Sequence, residues 1–235
     1  MQLSVGGLFL SRPKKCFMEK EKNQIKRHVI KDWTEYLDKI NKLDYVKEKQ
    51  NLSISSGTIF RGQSDPGWKL SSKLERRLIV QMEDKNIYIK KNNGQDWYDD
   101  KCKQLVDRYR YYCVQISDYY KDISDKELFS IGRHYGLLTP YLDWTFNPFI
   151  ATFFAFYELY KKLEFNHNFN SSFKEGYVTV WRLNLWPELN KNKNNFEIFT
   201  LGSKIGERLN AQEGVFTYLK IAEHSDLESY LESMN

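Results

Sequence analysis

The sequence predicts an α+β fold, on three observations. Helical periodicity fills the first two-thirds of the chain, and strand-like runs gather in the last third. One early strand stands apart at Phe60. The regular strand–helix alternation of a doubly wound sheet is missing, and neither a GxGxxG nor a P-loop motif occurs.

Residues 1–28 are polar and irregular and read as an N-terminal arm. From Val29 to Leu43, Ile30, Trp33, Tyr36, Leu37 and Ile40 recur at helical spacing, which predicts an amphipathic helix. Thr58-Ile59-Phe60-Arg61 is a short strand, and GQSDPG from Gly62 to Gly67 is a turn by composition. Residues 82–101 have the composition of a loop or insertion. A helix over Gln104–Tyr120 puts Leu105, Tyr109, Tyr112 and Ile116 on one face, and a further short helix starts at Asp125.

Gly132 to Tyr160 then joins an aromatic-rich polar loop to a very apolar helix. Asn147 suits the N-cap of that helix and Pro148 its first position, where no N–H is needed. The run from Phe149 to Tyr157 is apolar almost all round, which predicts a buried helix. Tyr177–Leu183 reads as a strand because β-branched and aromatic residues dominate it. Phe196–Leu201 and Val215–Ile221 read as two more. Residues 29–222 therefore form the expected single domain, and 223–235 a C-terminal helix or tail.

Composition narrows the function classes. The chain has 235 residues, 16% of them aromatic, a formal net charge of +5, a pI of about 8.8 and a mean hydropathy of −0.66. That balance permits an anionic partner, although a lysine-rich surface is as often merely solvated. Cys16, Cys102 and Cys113 are scattered and odd in number, which suits a reducing compartment, so a cytoplasmic location is expected. No Cys/His cluster has metal-ligand spacing, and no metal is expected. No run approaches the roughly 20 apolar residues of a membrane span, so no membrane partner is expected.

Four short motifs carry candidate chemistry. Arg61 leaves its strand beside Gly62; its planar fork suits a phosphate, or an ordinary surface ion pair. His134-Tyr135-Gly136 offers donors over a ligand, or a structural histidine. Asp143-Trp144-Thr145 offers a carboxylate, a ring and a hydroxyl; alternatively Trp144 is core, Asp143 or Thr145 helps cap the Phe149 helix, or Asp143 is a buried partner of Arg133. Period-2 alternation puts Gln212, Gly214, Phe216 and Tyr218 on one strand face and Glu213 on the other. No GxSxG elbow or HExxH motif is present, and no cysteine sits in a nucleophile context.

Taken together these residues resemble a known family. Phe60-Arg61-Gly62-Gln63, Trp68-Lys69-Leu70, His134-Tyr135-Gly136-Leu137, Leu142-Asp143-Trp144-Thr145-Phe146-Asn147-Pro148 with Ala151, Phe154 and Ala155, and finally Arg208, Gln212, Gly214 and Phe216 follow the pattern of the FRG domain. The likeness covers about residues 30–222. Arg133 stands where the family usually has Gln, and Leu138-Thr139-Pro140-Tyr141 where it usually reads Pro-Thr-Arg-Leu.

The order of motifs is also similar, at the level of fold, to the arginine-serine-glutamate class of ADP-ribosyltransferases. That likeness implies a split β-sheet with a helical N-terminal half, NAD as substrate, and transfer of ADP-ribose to an acceptor. It places Arg61, Gly62, His134, Tyr135 and Trp144 at the NAD, with Trp144 or Tyr135 stacking on nicotinamide. It assigns catalytic work to Asp143, Thr145, Gln212 and Glu213. Gly214 stands where that class has its glutamate, which leaves Asp143 and Glu213 as the carboxylates in the motifs. The resemblance further implies a toxin or anti-phage effector, with an inhibitory protein such as an antitoxin as partner. Arg108 to Tyr112, RYRYY, favours RNA or DNA as acceptor, because rings stack on bases while Arg holds phosphate. The rival readings are a non-catalytic nucleotide-sensing module with the same pocket, and a nucleic-acid-binding protein without a small ligand.

Overall fold

The computed structural model describes residues 15–21, 24–42, 57–84, 93–165, 177–185, 196–200, 214–220 and 226–233. It is a mixed helix-and-strand protein, as the α+β reading expects. Where the sequence predicts one domain, the chain divides into two compact units. The first draws on residues 1–68 and 145–185, the second on 69–144 and 186–235.

The first unit is built on four strands. β1 (Lys15–Glu21) pairs antiparallel with β2 (Gln24–Ile30) and parallel with β5 (Val178–Asn184). β5 pairs antiparallel with β3 (Thr58–Gln63). β1 and β2 thus stand where the later part of an irregular arm is expected, and the rest of that arm, over 1–14, lies outside the described residues. Their alternation is masked in sequence by lysines and glutamates, and the pairing partner of β1 lies some 160 positions on. Helix α1 (Trp33–Lys42) starts where Asp32 Oδ1 accepts from Glu35 N at 2.9 Å, and it buries Tyr36 and Ile40 one turn apart.

The apolar helix is α5 (Pro148–Phe165). Asn147 caps it as expected, its Oδ1 accepting from Phe149 N at 2.9 Å. Ala151 and Ala155 press on β3 at Gly62, where a Cβ would stand 1.9 Å from the Ala151 carbonyl oxygen. The Tyr36 and Thr152 hydroxyls bond one another at 2.6 Å, with the Pro148 carbonyl within 3.0 and 2.8 Å of them. Ile30, Tyr36, Ile40, Phe60, Ala151 and Val180 form the core on this side of the sheet. The expectation of a helix buried all round is not met: Phe149, Phe153, Phe154, Tyr157 and Tyr160 are exposed. Only the narrow alanine face is short enough to lie against a strand.

The second unit joins α2 (Lys73–Asp84), α3 (Asn93–Val114), a 3-10 turn at Asp118–Lys121, α4 (Asp125–His134), the strand β4 (Tyr141–Thr145) as far as Trp144, β6 (Phe196–Phe199), β7 (Gly214–Leu219) and α6 (Leu227–Ser233). β4 lies beside β7, which pairs antiparallel with β6. Residues 141–145, expected as loop, are therefore strand, and the supposed insertion over 82–101 holds the first two turns of α3. Val106, Cys113, Leu128, Phe129, Tyr141 and Phe216 make the core, with Tyr141 edge-on to Phe129, Phe199 and Tyr218. Leu74, Leu78 and Tyr98 make a second cluster. Arg110, from the RYRYY run, ties down the turn after α3: it donates to the Tyr120 and Ile123 carbonyls at 2.8 Å each and to Asp125 at 2.6 Å.

Candidate functional site

Arg61, Gly62 and Thr145 belong to the first unit, and His134, Tyr135, Asp143 and Trp144 to the second. Gln212 and Glu213 lie outside the described residues.

In the first unit, strand alternation sorts the residues by face. Phe60 pairs with Thr145 and Arg182, and Gly62 with Val180, so these share the face on which α5 packs. Arg61 points to the other face, opposite Trp181, and Gln63 follows opposite Thr179. Thr145 and Arg61 therefore lie on opposite sides of the sheet. The Thr145 hydroxyl accepts from Asn147 N at 3.0 Å and braces the turn into α5. Gly62 allows the close approach of β3 and α5.

On the Arg61 face a guanidinium, an indole, an amide and a hydroxyl stand in one block of two paired strands. The Trp181 indole N–H donates to Gln63 Oε1 at 2.7 Å, which fixes the amide. Gln63, Thr179 and Trp181 are buried, and Arg61 is half-buried. The Thr179 hydroxyl is fully buried and has no hydrogen-bond partner among the described residues. A buried polar group in that state costs roughly 1–3 kcal/mol until a partner reaches it. Trp181 and Thr179 are not among the candidates drawn from the sequence. The signal is present in the period-2 alternation of Tyr177–Leu183, which sets Thr179 and Trp181 on one face.

In the second unit, His134-Tyr135-Gly136 is the end of α4. Gly136 has φ +87°, the left-handed conformation glycine adopts freely. Leu137 N bonds the Gly132 carbonyl at 2.9 Å and Gly136 N the Arg133 carbonyl at 3.0 Å, which is the Schellman helix stop. His134 and Tyr135 are both exposed there. Asp143 forms an ion pair with Arg133, whose guanidinium also reaches the Tyr141 carbonyl at 3.0 Å and Thr139 Oγ1 at 3.3 Å. The Asp143 side chain keeps 43% of its exposure. Trp144 is buried, with its indole N–H on Thr217 Oγ1 at 2.9 Å.

A buried carboxylate in the same unit lies outside the sequence motifs. Glu75 closes a capping box at the start of α2: Ser72 N donates to its carboxylate, and Glu75 N donates to Ser72 Oγ at 3.0 Å. Burial pushes the Glu75 carboxyl up to about 7, against the opposing pull of the Ser72 bonds and Arg76. The Ser72-x-x-Glu75 spacing is the legible signal. Among the described residues, no group of three or more His, Cys, Asp or Glu side chains comes together to hold a metal ion, and no helix is long and apolar enough to cross a membrane.

Comparison with known proteins identifies one family. The FRG domain family matches residues 56–164. No curated protein and no solved structure matches the chain.

Proposed function

We propose that this chain, which carries an FRG domain over residues 56–164, is a nucleotide-binding protein whose Arg61 takes the phosphates of an NAD-class ligand. The observation that carries this reading is the block Arg61, Gln63, Thr179 and Trp181 on one face of β3 and β5. Its chemistry matches a nucleotide: a planar cation for a phosphate, a ring edge, an anchored amide and a hydroxyl still without a partner among the described residues. A binding module needs no catalytic carboxylate, which agrees with Gly214 standing where the transferase class has its glutamate.

Transfer of ADP-ribose from the ligand to RNA or DNA is the second reading. It is favoured by Asp143 itself, a carboxylate fixed in place by Arg133 yet still partly open to solvent. An effector of that kind requires restraint in the cell, which is where an inhibitory protein partner would enter. Incubating the protein with labelled NAD, with and without RNA, separates the readings. Saturable binding without release of nicotinamide supports the module. Released nicotinamide with labelled RNA supports the transferase. RNA binding indifferent to NAD, with no NAD retained, overturns both.

A further inference from the structure

We propose that the aromatic outer face of α5 is a self-association surface, on which a second copy of this chain packs by twofold symmetry. Helices apolar on every side are normally covered on every side. Here one side meets the sheet through Ala151 and Ala155, while Phe149, Phe153, Phe154, Tyr157 and Tyr160 keep 36–61% of their exposure. Trp33 of α1 extends the row, 46% exposed with its ring 6.1 Å from that of Phe149. Phe153 and Tyr157 already stack on one another at 5.5 Å.

Area and charge both point to a second copy. Aromatic side chains bury 150–250 Å² each, so six rings at these exposures offer roughly 600 Å². That reaches the upper range of apolar patches on ordinary monomers. It also supplies most of the roughly 800 Å² per partner of a stable interface. The stripe is self-complementary when two α5 helices cross antiparallel about an axis at Ala155. Phe153 then meets the partner's Tyr157, and Lys161 meets the partner's Phe149. Lys161 sits 4.6 Å above the Tyr157 ring at one end of the stripe. Trp33 marks the other end, and the exposed Asp32 and Glu35 lie in its turn of α1. The antiparallel pairing therefore brings opposite charges together at both ends, which a parallel pairing does not.

Sedimentation velocity on the full chain tests this across about 1–100 µM, where a pair of micromolar or tighter affinity is dimeric at the upper end. The wild type is expected to be a dimer. Phe153→Glu should weaken dimerisation more than tenfold while the chain keeps its wild-type circular dichroism, since Phe153 is exposed in the single chain. Lys161→Glu should weaken it less, and adding Glu35→Lys should restore it. A monomeric wild type at every concentration overturns the proposal, as does a dimer that Phe153→Glu leaves intact.

Discussion

Gly62 carries the most exacting steric demand in the first unit. A methyl group there would stand 1.9 Å from the Ala151 carbonyl oxygen and 2.8 Å from Ala155 N, both backbone atoms that cannot step aside. Gly62→Ala should therefore lower stability by roughly 1–3 kcal/mol, the usual cost of overpacking. Urea denaturation gives the value directly, and an unchanged midpoint would mean that α5 shifts freely. Asp143 calls for the opposite expectation. It pairs with Arg133 but stays 43% exposed, so Asp143→Asn should cost no more than about 1 kcal/mol. If the same variant loses NAD turnover that the wild type possesses, the transferase reading gains; retained turnover removes Asp143 from it. Individual roles are only partly legible in the sequence. Asn147 as cap and Arg133 as the partner of Asp143 follow from residue type and spacing. The burial of Trp144 does not, because its partner Thr217 lies far along the chain.

The elements show why periodicity goes so far and no further. α5 begins where Asn147 and Pro148 say it must, yet its all-round apolar surface does not tell which side meets the sheet. That choice rests on side-chain size: Ala151 and Ala155 fit beneath β3, and the phenylalanines do not. At α2, the buried Glu75 makes the helix start sensitive to pH. Its carboxyl titrates at about 7 in the folded protein, against an ordinary value of 4.5. Between those values the native state binds the extra proton, so stability falls as pH rises from about 4.5 and levels off above about 7. The full loss is on the order of 3 kcal/mol. Glu75→Gln keeps an acceptor for Ser72 N without the buried charge. It should flatten this slope and raise the melting temperature at pH values above about 7. A wild-type melting temperature constant across that window would contradict the assignment. Burial likewise pushes the Cys102 thiol up to about 12, so it should resist thiol reagents at neutral pH while the native fold persists.

At the scale of the whole molecule, the mixed α+β class is legible because the chain lacks the regular strand–helix alternation of a doubly wound sheet. The division into two units is not. Each unit is assembled from two distant stretches, and the boundary falls inside β4, between Trp144 and Thr145. β1 is hidden for a related reason, since its parallel partner β5 lies far ahead in sequence. The block around Phe60-Arg61-Gly62 stands out at both levels, and the functional claim rests on it. The most direct test is calorimetric titration of NAD into the wild type and into Arg61→Ala. Loss of two charge-assisted hydrogen bonds, each worth roughly 1.5–3 kcal/mol, should weaken binding at least tenfold. Arg61→Lys should recover only part of the affinity, because a point charge lacks the fork. Circular dichroism of the ligand-free variants should show the wild-type secondary structure, so that any loss of affinity is read on a folded protein. NAD affinity unchanged by Arg61→Ala in a folded protein, or no NAD binding by the wild type, would contradict the claim.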